Sequence, residues 1–261
     1  MGRNARFAAL TYGAICYALF FATFLYLIGF VGDVIDPKTI ETGSATDLGR
    51  AFLVDTLLVV LFGLQHSVMA RPRFKAWITR FVPQPMERAT YVLASSVALI
   101  ALFRFWEPID ATVWHVKGEV GRTALYALYF TGVGLVLYST FLIDHFDLFG
   151  LRQVVLAFRR IAYTEKRFMT PSLYRFVRHP LYLGWFLVFW AAPTMSAGHF
   201  LLALGMSAYI LLAIPYEERD LAAALGEPYE SWRANTPAFV PRMGSPGSEG
   251  RVAAARRATA R

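Results

Sequence analysis

Long apolar runs separated by short charged connections dominate this chain. A bilayer-spanning helix needs about 20 mostly apolar residues. Residues 8–30, 49–69, 88–106 and 121–143 meet that length directly. A longer stretch, from Leu181 to Pro215, is interrupted by Ala192-Pro193-Thr194-Met195-Ser196-Ala197-Gly198-His199. Proline and glycine break a helix there. The pattern predicts two helices joined by a tight turn, 180–193 and 199–217, the first of them short for a span. The expected fold is an all-α, polytopic membrane helix bundle of about six transmembrane helices over residues 1–243. Beyond it, 244–261 is Gly, Ser, Ala and Arg without apolar periodicity. That tail is expected to be a disordered, basic cytoplasmic segment drawn to lipid surfaces.

Composition agrees with the pattern. The chain is 56% hydrophobic and 17% charged, with mean hydropathy +0.43, which few soluble domains of 261 residues match. Its net charge of +8 is explained by where the basic residues fall. Lys38, Arg50, Lys117 and Arg122 alone occupy one set of connections, and Arg104 lies within a helix. The N-terminus, the 70–88 and 144–179 connections and the C-terminal region hold the rest. Cytoplasmic loops are enriched in Lys and Arg, so both termini are expected in the cytoplasm of a bacterial inner membrane. No nucleic-acid partner is needed to explain the charge. Arg3 and Arg6 precede the first run, which reads as a retained helix rather than a cleaved signal. A single cysteine, Cys16, excludes a disulfide framework, a CxxC pair and a cysteine-held iron–sulfur cluster. No metal-ligand spacing is evident.

Ionisable groups at membrane depth are costly and mark candidate sites. Four clusters are expected at one face: Gln65-His66-Ser67; Asp144, His145 and Asp147; Arg178 and His179; and Glu217, Glu218, Arg219 and Asp220. Simpler roles stay open for some of them. His66 also reads as a helix cap, and residues 144–147 as a headgroup-level flank. Adjacent glutamates on a helix point about 100° apart, so one is expected to face a ligand and the other solvent or Arg219. His115 and His199 are expected at the far interface, and Asp55 and Arg104 in internal pairs. In Arg178-His179-Pro180-Leu181-Tyr182-Leu183-Gly184, proline suits a first helical turn whose free N–H groups and dipole favour an anion. Arg178 offers a fork for a carboxylate. Gly184 allows a close backbone approach to a ligand.

Arg178-His179-Pro180-x-Tyr182-x-Gly184, followed by Glu217-Glu218, Leu221, Gly226 and Tyr229, resembles the isoprenylcysteine carboxyl methyltransferase and phospholipid methyltransferase superfamily. Further segments, among them Leu64–Pro72, Glu87–Tyr91 and His145–Gln153, resemble the bacterial methanethiol S-methyltransferase family, in a branch shared with NnrU-like membrane proteins. The resemblance covers roughly residues 10–242. It implies S-adenosyl-L-methionine as cofactor, a small thiol as substrate and dimethyl sulfide as product. Tyr174, Arg178, His179, Pro180, Tyr182, Leu183, Gly184, Glu217 and Glu218 would then hold the cofactor. The superfamily's upstream glycine-proline-tyrosine turn reads here as Thr170-Pro171-Ser172-Leu173-Tyr174. His66 and His145 are the candidate general bases, with Asp144 or Asp147 orienting them. A lipid or prenylated-thiol acceptor, and a haem-binding accessory role through His66, His145 and His179, remain alternatives.

Overall fold

The computed structural model describes residues 1–35, 37–44, 47–164 and 168–241; the predicted tail 244–261 lies outside the described residues. The elements run α1 (Arg3–Val31), α2 (Leu48–Ala70), α3 (Pro72–Ile78), α4 (Glu87–Phe105), β1 (Thr112–His115), α5 (Glu119–Ile143), α6 (His145–Leu148), α7 (Leu151–Phe158), α8 (Pro180–Trp190), β2 (Thr194–Ser196), α9 (Ala197–Leu225) and α10 (Glu227–Asn235). Among the described residues, α1, α2, α4, α5 and α9 are long and apolar enough to cross a membrane. Only about a third of each span is buried in the protein. Leu53, Leu57, Leu61 and Leu64 point outward from α2, a surface that suits lipid and not water.

The core lies toward the α1 C-terminal end, where Phe30, Phe103 and Trp106 pack edge to face or tilted. Tyr26 stacks on Phe30 and donates to the Lys38 carbonyl. At that end the predicted tight turn between α8 and α9 is a strand. β2 pairs antiparallel with β1, Trp114 opposite Met195, in a bulged two-stranded ribbon. The Trp114 indole donates to the Ala192 carbonyl, satisfying a backbone group where helix α8 has ended. His199, expected at the interface, is buried and meets the Phe189 carbonyl. Asp55 is also buried, and accepts from the Glu107 backbone N–H.

Helix α9 extends past the expected boundary at 217. Its polar residues carry it beyond the apolar layer to Leu225, where Gly226 turns at φ +65° and stops it. Helix α8 is short, as expected. Eleven residues span about 16 Å, roughly half the hydrocarbon thickness. It packs on α5 through a glycine crossing. A Cβ on Gly184 would lie 2.8 Å from the Gly132 carbonyl, and one on Gly132 2.8 Å from the Gly184 carbonyl. This contact places Pro180 about 10 Å short of the α5 C-terminal end. The motif that opens α8 is therefore sunk inside the bundle.

Candidate functional site

Proline at the first position of α8 fixes the turn, and the chain before it is held by the segment after α10. The Arg178 and His179 N–H groups donate to the Pro237 and Ala238 carbonyls at 2.8 and 3.0 Å. This strap leaves the two side chains aimed at α9. Arg178 Nε donates to Glu218 Oε1 at 2.8 Å, and His179 Nε2 meets the same oxygen at 2.9 Å. Arg178 Nη1 also donates to the Arg233 and Thr236 carbonyls. The guanidinium predicted to take a ligand carboxylate is thus committed to protein acceptors and acts to fix Glu218.

Glu217, one residue away, accepts from the Tyr182 hydroxyl at 2.6 Å. Both glutamates face the start of α8, which corrects the expectation that one meets Arg219 or solvent. Arg219 lies over the Tyr216 ring instead. The 100° between neighbours is absorbed because α8 presents Arg178 and His179 on one side and Tyr182 on the other. Gly184 is likewise reassigned: its missing Cβ admits α5, not a ligand. Leu183 continues the first turn, its N–H bonded to the His179 carbonyl.

Around Glu217 stand Tyr91, Tyr174, Tyr182 and Tyr209, all within electrostatic reach of its carboxylate. Burial, and then this charge, holds the Tyr174 phenol protonated well above the usual range. The Tyr229 phenol is pushed up to about 12, by burial first and by Glu218 and Glu217 second. Tyr91 links this cluster to α2, its hydroxyl lying 2.7 Å from His66 Nε2 while His66 Nδ1 meets Ser95 Oγ at 3.1 Å. The His66 ring is boxed by Phe62, Tyr91 and Tyr209. Tyr209 and the strap at 236–239 escaped sequence reasoning, and Tyr91 entered it only within the Glu87–Tyr91 segment, without a role. A tyrosine in an apolar helix carries no periodic signal, and the strap has neither apolar pattern nor motif.

The predicted cluster of Asp144, His145 and Asp147 forms apart from this one. His145 is buried between Tyr17 Oη at 2.9 Å and Thr140 Oγ1 at 2.8 Å, and burial lowers its basicity. These two hydroxyls orient it, where Asp144 or Asp147 was expected to. Asp144 caps α6 from a positive φ, and Asp147 pairs with Arg152 at 2.8 Å and accepts from Tyr163. Nε2 of His66, of His145 and of His179 is in each case already hydrogen-bonded, by Tyr91, Tyr17 and Glu218. Axial ligation of a haem through any of them would break that bond.

Fold and site together define a polytopic all-α membrane protein with a charged, tyrosine-lined centre recessed at one end of its bundle. No family model and no solved structure matches the chain. Curated relatives do. The methanethiol S-methyltransferase of Crocosphaera subtropica is 50% identical over 92% of this chain and 94% of its own. That of Mycobacterium tuberculosis is 50% identical over 90% and 97%. Human nurim is 33% identical over 72% and 71%. The chain belongs to the methanethiol S-methyltransferase family.

Proposed function

We propose that this protein transfers the methyl group of S-adenosyl-L-methionine to methanethiol, giving dimethyl sulfide, from a site that opens to the cytoplasm of a bacterial inner membrane. Family membership supports the reaction. One observation carries the site: the first turn of α8 and both neighbouring glutamates of α9 meet below the bundle surface, Arg178 and His179 on Glu218 and Tyr182 on Glu217.

The residues present suit this donor. Glu217 and Glu218 are acceptors for an ammonium or ribose hydroxyls. The N–H groups of Leu181 and Tyr182 in the first turn of α8 favour a carboxylate. The tyrosine faces suit a sulfonium. Bound there, S-adenosyl-L-methionine supplies an electrophilic methyl group, and its transfer to a thiolate forms one C–S bond as another breaks. The protein's part is to bind, align, exclude water and take a proton. Arg178 and His179 fix Glu218, and Tyr182 fixes Glu217, before any ligand arrives. Methyl transfer from sulfonium to thiolate neutralises two charges, so a recessed apolar setting favours it. His66 takes the thiol proton at Nε2 by way of the Tyr91 hydroxyl. His145, set by Tyr17 and Thr140 with Asp144 and Asp147 nearby in sequence, is the second candidate base on the acceptor side.

A lipid or prenylated-thiol acceptor is the second reading. It is favoured by an apolar groove of about 490 Å³ between α2 and α9, reaching from Thr56 to Arg71 and sharing Tyr209 with the His66 box. Detergent-purified protein supplied with S-adenosyl-L-methionine should release dimethyl sulfide into the headspace from methanethiol, and should methylate a prenylcysteine poorly. The reverse preference would transfer the site to the lipid acceptor. Failure to bind the donor in a calorimetric titration would end both readings.

A further inference from the structure

A second basic centre lies outside the machinery above. The N-terminal turn of α1 and the end of α7 frame an open cavity of about 550 Å³ lined by Met1, Gly2, Arg3, Arg6, Ala157 and Arg160. Three arginines, Arg3, Arg6 and Arg160, line one space, and its lining includes no acidic residue among those described. Arg6 Nε is buried there with no hydrogen-bond partner. A guanidinium N–H removed from water and left unbonded is costly, which a bound anion would relieve. Arg3 and Phe7 are four residues apart and share a helix face. Phe7 and Ile15 expose 62% of their surface along α1, and Phe158 and Ile161 are exposed at the α7 end. A charged head site therefore stands over an apolar stripe.

We infer that this cavity binds the phosphodiester headgroup of an anionic phospholipid, whose acyl chains lie along Phe7 and Ile15 of α1. The arginine fork matches phosphate oxygens, and basic pockets at helix ends draw anionic lipid. The apolar stripe separates this occupant from a soluble anion, which has no use for it. The lipid ties α1 to α7, the two elements that already meet where Val154 fills the space over Gly13.

The test is delipidation of the full-length protein in detergent, with bound phosphatidylglycerol and phosphatidylcholine counted by mass spectrometry. Phosphatidylglycerol should be retained preferentially. Arg6→Gln and Arg160→Gln should each reduce that retention about fivefold, with methyl transfer unchanged. If Arg6→Gln fails to fold, Arg160→Gln decides alone, since it follows α7 and leaves α1 intact. Equal retention of the two lipids, or unchanged retention in the variants, overturns the inference. So does a thermal stabilisation by millimolar inorganic phosphate equal to that given by phosphatidylglycerol vesicles.

Discussion

Glu218 Oε1 receives both the Arg178 guanidinium and the His179 ring, so one carboxylate oxygen organises the start of α8. Replacing it by glutamine keeps the shape and removes the charge. Glu218→Gln should lower stability by about 2 kcal/mol, because Arg178 stays largely buried without its counter-charge. Donor affinity should fall at least about tenfold by calorimetry. An unaltered melting temperature and affinity would show that the carbonyls of Arg233 and Thr236 suffice. His145 makes a different kind of prediction. Burial depresses its folded pKa below the ordinary 6.5, so the unfolded chain binds the proton first. Its contribution is complete above about pH 6.5 and is lost as pH falls below that value. Melting in detergent from pH 7.5 to 5 should decline, and His145→Asn should flatten the decline. At this scale the sequence was informative about residue types but not about partners. The meeting of Arg178, His179 and Tyr182 with one glutamate of α9 was legible, and the turning of both glutamates toward α8 was not. That the arginine serves a glutamate, and that hydroxyls rather than aspartates set His145, depend on segments remote in sequence, such as Tyr17, 128 residues from His145.

Among the elements, α8 depends most on a single contact. Its glycine meets the α5 glycine so closely that a methyl group has nowhere to go. Gly184→Ala should therefore cost about 1–3 kcal/mol and displace the whole α8 start from Glu218. Gly134→Ala is the control, on the same stretch of α5, where an added Cβ meets nothing within 4 Å. It should be neutral or slightly stabilising through helix propensity. Thermal melts of the two variants separate the outcomes, and equal melts would mean that the crossing adjusts without strain. Hydropathy located α8 and its neighbours well, since apolar length is written directly in the chain. It misread the role of Gly184 because a missing side chain serves a ligand and a helix equally well. It missed the ribbon because β1 and β2 are about 80 residues apart, and neither is long enough to show alternation.

For the whole molecule, α2 and α9 end together where Arg71 pairs with Asp220, and α1 begins where α7 covers Gly13. The start of α1 and the chain at 236–239 therefore lie at the end of the bundle that carries the recessed centre. With the basic connections also there, fluorescent-protein fusions at either terminus should be bright. Alkaline phosphatase fused after His115 should be active, and the opposite pattern would invert the orientation. The cytoplasmic orientation that these fusions test is an expectation from the distribution of Lys and Arg, a property of the chain as a line. The depth of the α8 start was not, because it is set by a crossing between two helices. The ribbon at the distal end has a mechanical consequence. It pins the α8–α9 connection to the segment between α4 and α5, and the strap at 236–239 holds the start of α8 on the opposite side of the bundle. Any breathing between the two helices would pivot on that ribbon, and opening at Glu218 would need the chain after Asn235 to give up its two bonds to the Arg178 and His179 N–H groups.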